Sequence, residues 1–232
     1  MKYSIIVPVW NQLDYTKQCL QSVIGATQNW DEYELIVVAN GCTDGTEEWI
    51  SYFQRTYKAD TVLCSYKEPL GAGGALNAGM RISRGDYLVL LNNDCKILSP
   101  YWIELLEEPF IKNPKMGITG PLIYWSDITK VNSLILFCGM IHRKVIDKIG
   151  FFDTETFPIG AGEDADFCAR AQEAGFLIEK VPPKDAVKYG PKYMMGTFPI
   201  YHIGEVTLNT IPNWSEKYLE HREALKKKYA GK

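Results

Sequence analysis

Short apolar runs recur along the first half of the chain, at 4–9, 34–39, 61–65 and 87–92. Each is rich in Val, Ile and Leu with little polar alternation, the pattern of strands covered on both faces. Their starts fall about 26 to 30 residues apart, the length of a strand plus a crossover helix. Helical spacing fills the gaps. Leu20, Val23 and Ile24 share one side of a helix that Asp14 is placed to cap. Trp49, Ile50 and Phe53 do the same for a helix opened by Asp44 or Thr46, and a third helix is expected over 75–82. Ser99-Pro100 is a start signal for a fourth, with Trp102, Leu105 and Leu106 following.

The second half is less regular. Strands are expected at 116–124, 134–141 and 198–203, and a helix at 163–174 that Gly175 ends. Asn213 is placed to cap a last helix running to Tyr229, whose Lys226-Lys227-Lys228 suits the negative end of the helix dipole. Pro182-Pro183 and Gly190-Pro191 mark loops, and no linker or repeat divides the chain. The pattern predicts one α/β domain: a mostly parallel central sheet flanked by helices, with a small antiparallel portion in the second half.

Composition narrows the function classes. With 232 residues, 46% of them hydrophobic, the chain can bury a full core without staples. Its net charge of −3 argues against a protein built to coat nucleic acid. The six cysteines form no C-x-x-C pair and read as reduced core thiols, as in a cytoplasmic protein. No apolar run approaches the ~20 residues needed to cross a bilayer, and the opening segment is too short for a signal peptide.

Ligands of parallel α/β sheets sit beyond the carboxyl ends of the strands. That rule singles out 8–11, 40–45 and 92–94. Asn92-Asn93-Asp94 follows an apolar strand, where a carboxylate needs a partner; a divalent cation and a turn cap are both open readings. Glu163, Asp164 and Asp166 cluster at a helix start, as dipole stabilisers or as a general base. Gly160 and Gly162 beside them would let backbone approach a ligand. His202 lies in an apolar run, either as a core residue or, paired with Asp94, as a metal ligand. His142 and His221 sit in charged settings and read as solvated. Gly71-Ala72-Gly73-Gly74-Ala75-Leu76 lacks the third glycine of a dinucleotide fingerprint, and neither a P-loop nor a nucleophile elbow occurs.

Five segments in order resemble the family 2 glycosyltransferases of GT-A fold. They are Ser4-Ile5-Ile6-Val7-Pro8-Val9-Trp10-Asn11, then Val37-Val38-Ala39-Asn40-Gly41-Cys42-Thr43-Asp44-Gly45-Thr46, then Gly85-Asp86-Tyr87 through Asn92-Asn93-Asp94. Gly150-Phe151-Phe152-Asp153 and the Glu163-Asp164 motif follow, with His202 placed like a histidine that often completes the family's metal site. The resemblance implies a single GT-A domain over 1–232, with a nucleotide-sugar half at 1–95 and an acceptor half at 96–232. It implies an inverting transfer from a nucleotide-diphosphate sugar (UDP, dTDP or GDP) to a carbohydrate or lipid-linked acceptor, as in surface polysaccharide synthesis. Donor contacts would come from Pro8, Val9, Trp10, Asn11, Asn40, Asp44, Asn77, Asn92 and Asn93. Asp94 and His202 would hold Mn²⁺ or Mg²⁺. Asp164, beside Glu163, would take the acceptor proton.

This sequence departs from the family at Ala39, where an Asp usually contacts the base, and at Asn92, so that only Asp94 is charged in its motif. Ala39 favours one alternative, a non-catalytic sugar-nucleotide-binding relative. A nucleotidyltransferase would want a Gly-rich basic loop where Trp10-Asn11-Gln12-Leu13 stands. In the last helix Trp214, Tyr218, Leu225 and Tyr229 fall roughly on one face. The plain reading is docking onto the domain; the other is peripheral contact with a membrane holding the acceptor. Loops 125–131 and 184–197 are expected near the acceptor.

Overall fold

A computed structural model describes residues 1–57, 60–181, 198–204, 206 and 208–231. The expected loop at 184–197, with Pro182-Pro183 and Gly190-Pro191, lies outside the described residues. The first half alternates as its periodicity requires: β1 (Tyr3–Val9), α1 (Leu13–Ala26), β2 (Tyr33–Asn40), α2 (Thr46–Thr56), β3 (Asp60–Tyr66), α3 (Gly71–Ile82) and β4 (Tyr87–Leu91). The second half adds β5 (Cys95–Ile97), α4 (Trp102–Lys112), β6 (Met116–Gly120), β7 (Ile123–Trp125), β8 (Asn132–Leu134), β9 (Cys138–His142) and α5 (Arg143–Ile149). After these come α6 (Glu163–Glu173), β10 (Leu177–Lys180), β11 (Ile200–His202) and α7 (Trp214–Tyr229).

Seven strands form one sheet in the order β10-β6-β9-β4-β1-β2-β3. Strands β1, β2, β3 and β4 are parallel, and β9 runs antiparallel to both its neighbours, β4 and β6. Every residue of β2 is buried, which explains the apolar run 35–39 within it. One face carries Ile5, Val7, Leu35 and Val37 against Leu20, Phe53 and Trp102 of α1, α2 and α4. The other carries Ile6, Ile36, Val38 and Leu90 against Ala75, Met80, Val145 and Phe167 of α3, α5 and α6. The antiparallel portion also includes two small ladders, β5–β11 and β7–β8.

Several local expectations are corrected. Asp14 does not cap α1: it lies inside the first turn, and Gln12 stands at the cap in left-handed backbone without a side-chain bond. Asn213 likewise precedes α7 with φ 55° and no side-chain cap; its carbonyl takes the amides of Glu216 and Lys217 instead. The runs at 116–124 and 134–141 each break into two strands. His142 is not solvated: its ring caps α5 by accepting from the Lys144 amide at 3.2 Å and packs edge-on against Tyr87. His221 is buried, and its Nδ1 contacts the Gly160 carbonyl.

Helix α7 docks through one stripe. His221, Leu225 and Tyr229 are buried, while Tyr218 stays 42% exposed. Tyr229 donates to Asp166 Oδ1 at 3.0 Å, and Lys228 Nζ lies 2.7 Å from both Asp166 and Asp153. Burial alone would raise the Asp153 carboxyl, but Lys228 and Thr156 outweigh it and hold that carboxyl well below the usual range. Among the described residues no helix is long and apolar enough to cross a membrane.

Candidate active site

The carboxyl ends of β1, β2 and β4 lie side by side, because these strands are neighbours in parallel register. Here the chain turns sharply, and its polar side chains lock one loop to the next. Asn11 adopts φ 58° and accepts the Thr43 amide at 2.7 Å. Its own amide points to Cys42 Sγ at 3.3 Å. Asp44 accepts from the Leu13 amide and from the Thr46 amide and hydroxyl, so it ties the start of α1 to the start of α2. Burial opposes ionisation of Asp44, but these bonds hold its carboxyl below the ordinary value. Asn93 donates to Thr16 at 3.0 Å, joining the β4 turn to α1.

Pro8, Val9, Trp10 and Asn92 lie along this rim: Pro8 and Val9 end β1, Trp10 follows it, and the Asn92 amide donates to the Phe137 carbonyl at 2.7 Å. Asn40 is committed within the rim. Its Oδ1 accepts the Leu70 amide at 2.7 Å, and its amide donates to the Gly71 carbonyl at 3.3 Å. Gly71 has φ +74°, and any Cβ there would strike the Pro158 carbonyl, so α3 starts hard against the 158 loop. Asn77 lies deeper. Both its polar atoms are taken by the Phe152 backbone, at 2.9 and 3.0 Å. It anchors the 150s segment to α3. Ala39 is wholly buried near the end of β2.

Beyond β4 the chain turns through Asn93 and Asp94 into β5, which pairs with β11 and sets His202 opposite Cys95. Asp94 Oδ2 accepts the Gly204 amide at 3.0 Å. Asp94 Oδ1 and His202 Nε2 lie 3.2 Å apart, yet among the described residues neither has hydrogen-bond geometry to any partner, and His202 Nδ1 has none either. Buried polar atoms left so are costly. Asp94, Cys95 and His202 offer ligand atoms within 4.8 Å of one another. A carboxylate oxygen and an imidazole nitrogen suit Mn²⁺; the Cys95 sulfur faces the Phe137 carbonyl at 3.8 Å. The donor set and its unpaired atoms therefore fit a divalent cation. A cavity of about 230 Å³ opens beside it, lined in part by Tyr15, Asp94, Lys96 and Tyr201. A second cavity lies at the amino ends of the strands, around Tyr3, Tyr33 and Trp102, away from this chemistry.

The acidic pair opens α6. Asp164 Oδ2 accepts the Leu136 amide at 3.1 Å, and Glu163 Oε2 is buried with no hydrogen-bond partner among the described residues. Burial raises both carboxyls; the neighbouring Asp164 charge pushes Glu163 further, while the Leu136 amide pulls Asp164 back. Both carboxyls are thus held above their ordinary values, and the Leu136 amide favours the ionised form of Asp164. The glycines before them serve packing: a Cβ at Gly162 would meet the Phe157 ring at 2.9 Å, and one at Gly160 would crowd Glu163 at 3.2 Å.

Sequence reasoning missed Leu136 and Phe137, which read only as an apolar strand. In the structure they form the turn between β8 and β9, with the Leu136 amide on Asp164 and the Phe137 ring stacked on His202. No residue pattern in a single sequence marks that pairing.

Known proteins share both sequence and fold with this chain. A glycosyltransferase of Haloferax volcanii, AglE, is 36% identical over 103 residues, 44% of this chain and 33% of its own. A poly(ribitol-phosphate) beta-glucosyltransferase of Bacillus spizizenii is 29% identical over 94 residues, 40% of this chain and 15% of its own. The chain thus spans a third or less of the length of these curated relatives. Among solved structures, the mannosyltransferase PcManGT of Pyrobaculum calidifontis, in complex with GDP-Man and Mn²⁺, aligns with TM-score 0.66 at 19% identity. That alignment covers 79% of this chain and 55% of that one. TarS of S. aureus, in complex with UDP-GlcNAc, aligns with TM-score 0.57 at 19% identity over 74% of this chain and 53% of that one. Residues 4–159 match the profile of Glycosyl transferase family 2, and with the GT-A architecture described above the chain belongs to that family.

Proposed function

We propose that this chain is an inverting glycosyltransferase that moves a sugar from a nucleotide-diphosphate donor to an acceptor hydroxyl, with Mn²⁺ or Mg²⁺ held at Asp94 and His202. One observation carries this reading: beyond the carboxyl end of β4 a buried carboxylate oxygen of Asp94 meets Nε2 of His202, and among the described residues neither makes a hydrogen bond. The relatives fit it, since one solved neighbour carries GDP-Man with Mn²⁺ and another UDP-GlcNAc.

The donor lies over the ends of β1, β2 and β4. Its nucleotide contacts the rim from Pro8 to Asn11 and from Asn40 to Asp44, and Ala39 leaves recognition of the base to these neighbours. A bound cation supplies the positive charge that stabilises the departing diphosphate. Asp164, whose ionised form the Leu136 amide favours, accepts the proton of the acceptor hydroxyl. The acceptor oxygen bonds to the anomeric carbon as the bond from that carbon to the diphosphate oxygen breaks. The nucleoside diphosphate leaves with the electron pair, and one displacement inverts the centre. No covalent nucleophile is needed.

The test is a thermal-shift panel of UDP, GDP and dTDP with and without Mn²⁺, on the wild type, Asp94→Ala and Asp164→Asn. A nucleotide at about 100 times its dissociation constant adds ~2.7 kcal/mol of stability. The expected result is a metal-dependent shift for one nucleotide that Asp94→Ala abolishes and Asp164→Asn keeps, with turnover lost in both. Absence of any nucleotide shift would overturn the reading. Turnover that survives Asp164→Asn would overturn the assigned base.

A further inference from the structure

Helix α7 holds the acidic pair from both sides. On the amino side, the chain enters α6 through three successive residues of positive φ: Gly160 at 116°, Ala161 at 66° and Gly162 at 120°. Ala161 carries a Cβ, so its left-handed backbone is costly and persists only where the surroundings fix it. His221 of α7 supplies that constraint. Its ring is buried, packs edge-on against Phe157 with centroids 6.2 Å apart, and meets the Gly160 carbonyl through Nδ1. A carbonyl oxygen can only accept, so Nδ1 carries the proton and donates it. Gly160 in turn lies against the first carboxyl of the pair: a Cβ there would stand 3.2 Å from Glu163 Oε1.

On the carboxyl side, Asp166 receives the Tyr229 hydroxyl at 3.0 Å and Lys228 Nζ at 2.7 Å. His221 and Tyr229 are about two helical turns apart, so both fall on one stripe of α7. Leu225 lies between them and joins Phe157, Ala165 and Ala169 in one apolar cluster. Ala165 is the residue after Asp164. Glu163 and Asp164 thus sit between two anchors supplied by the same helix.

We propose that His221 is a positioning residue for the transfer: by holding the Gly160 peptide it keeps water from the Glu163 carboxyl and fixes the first turn of α6, where Asp164 takes the acceptor proton. This rests on the reading of Asp164 as the base. The ionisable groups that bear on Glu163 are Asp164, beside it on α6, and the Tyr124 phenol of β7. Both stay in place in the variants below, so a change in Glu163 ionisation reports on its cover.

The test is a double-mutant cycle on the full chain, read by melting temperature at pH 9, where Glu163, pushed up to about 8, is ionised at a cost to the fold. In the wild type, Glu163→Gln should raise the melting temperature by a few degrees. His221→Phe keeps a ring and loses the donor; water then reaches Glu163, and that rise should shrink to less than about half. His221→Asn, whose amide offers an N–H near the place of Nδ1, should restore it. Turnover gives the second readout. In His221→Phe, kcat for release of nucleoside diphosphate from the nucleotide sugar should fall about tenfold, with the donor KM and the nucleotide-dependent thermal shift unchanged, and should recover in His221→Asn.

If His221→Phe leaves either the Glu163→Gln rise or kcat intact, the role is overturned, whatever stability is lost. A wild type in which Glu163→Gln gives no rise at pH 9 also overturns it. If neither His221→Phe nor the smaller His221→Leu folds, His221 serves folding and not positioning. Turnover that survives Asp164→Asn is a different failure: it removes the base reading and leaves the coupling of His221 to Glu163 in place.

Discussion

The imidazole of His202 lies flat on the ring of Phe137, with centroids 4.1 Å apart and planes 3° from parallel. The preceding residue, Leu136, gives its amide to Asp164. Two consecutive residues between β8 and β9 therefore position both the candidate metal ligand and the candidate base. That stretch sets the distance between the Asp94–His202 pair and the Asp164 carboxylate.

Replacing Phe137 by Leu removes the stacked face while keeping an apolar side chain. An aromatic stack of this kind contributes about 1 kcal/mol. Mn²⁺ affinity should fall roughly fivefold, read by calorimetric titration of the full chain. Unaltered affinity would mean that the ring only fills space.

His202→Ala should abolish the stabilisation by Mn²⁺, while in chelator its melting temperature should fall no further than loss of the Phe137 stack, about 1 kcal/mol, accounts for. The reason is that neither imidazole nitrogen makes a hydrogen bond among the described residues, so no such bond is lost with the ring. A large loss of stability in chelator would contradict the site described.

The acidic pair makes a pH prediction. Glu163 is pushed up to about 8, by burial first and by Asp164 second. A carboxyl whose folded value exceeds its unfolded one stabilises the fold at low pH and loses that contribution as pH rises through the folded value. Glu163→Gln, which cannot ionise, should therefore melt a few degrees above the wild type at pH 9 and close to it at pH 5. For turnover the sign reverses: the rate should fall on acidification as Asp164, itself raised by burial, gains a proton. Melting curves and rate profiles from pH 5 to 9 check both.

Lys228 bridges Asp153 and the fully buried Asp166. Lys228→Met should cost about 2 kcal/mol, the scale of a hydrogen bond to a charged group. Because the Asp153 carboxyl is depressed, the wild type's advantage is present at neutral pH and fades on acidification below the ordinary carboxylate range. Denaturant melts at pH 7 and pH 3 should show the gap closing.

The repeat of β1 to β4 was legible because each strand is apolar throughout and each helix carries its own apolar stripe. Local pattern and burial coincide there. Short elements escaped. β5 has three residues and α5 seven, too few for a period to show. The broken strands at 116–124 and 134–141 escaped because an apolar run does not reveal where its backbone turns.

The same division runs through the site. The sequence by itself singled out Asp94 and His202, a charge and an imidazole beside apolar runs, and Glu163 and Asp164, an acid cluster at a helix start, as candidate site residues. Only the tertiary structure decided which of them meet. The β5–β11 ladder joins Asp94 to a residue more than a hundred positions away, and the Leu136 amide assigns its bond to Asp164 alone. It also showed Asn40 and Asn77 committed to backbone of the 70 and 152 segments, and His221 buried rather than solvated. Side-chain chemistry is local and can be read along the chain. The partner that satisfies it is chosen by packing between segments far apart in sequence.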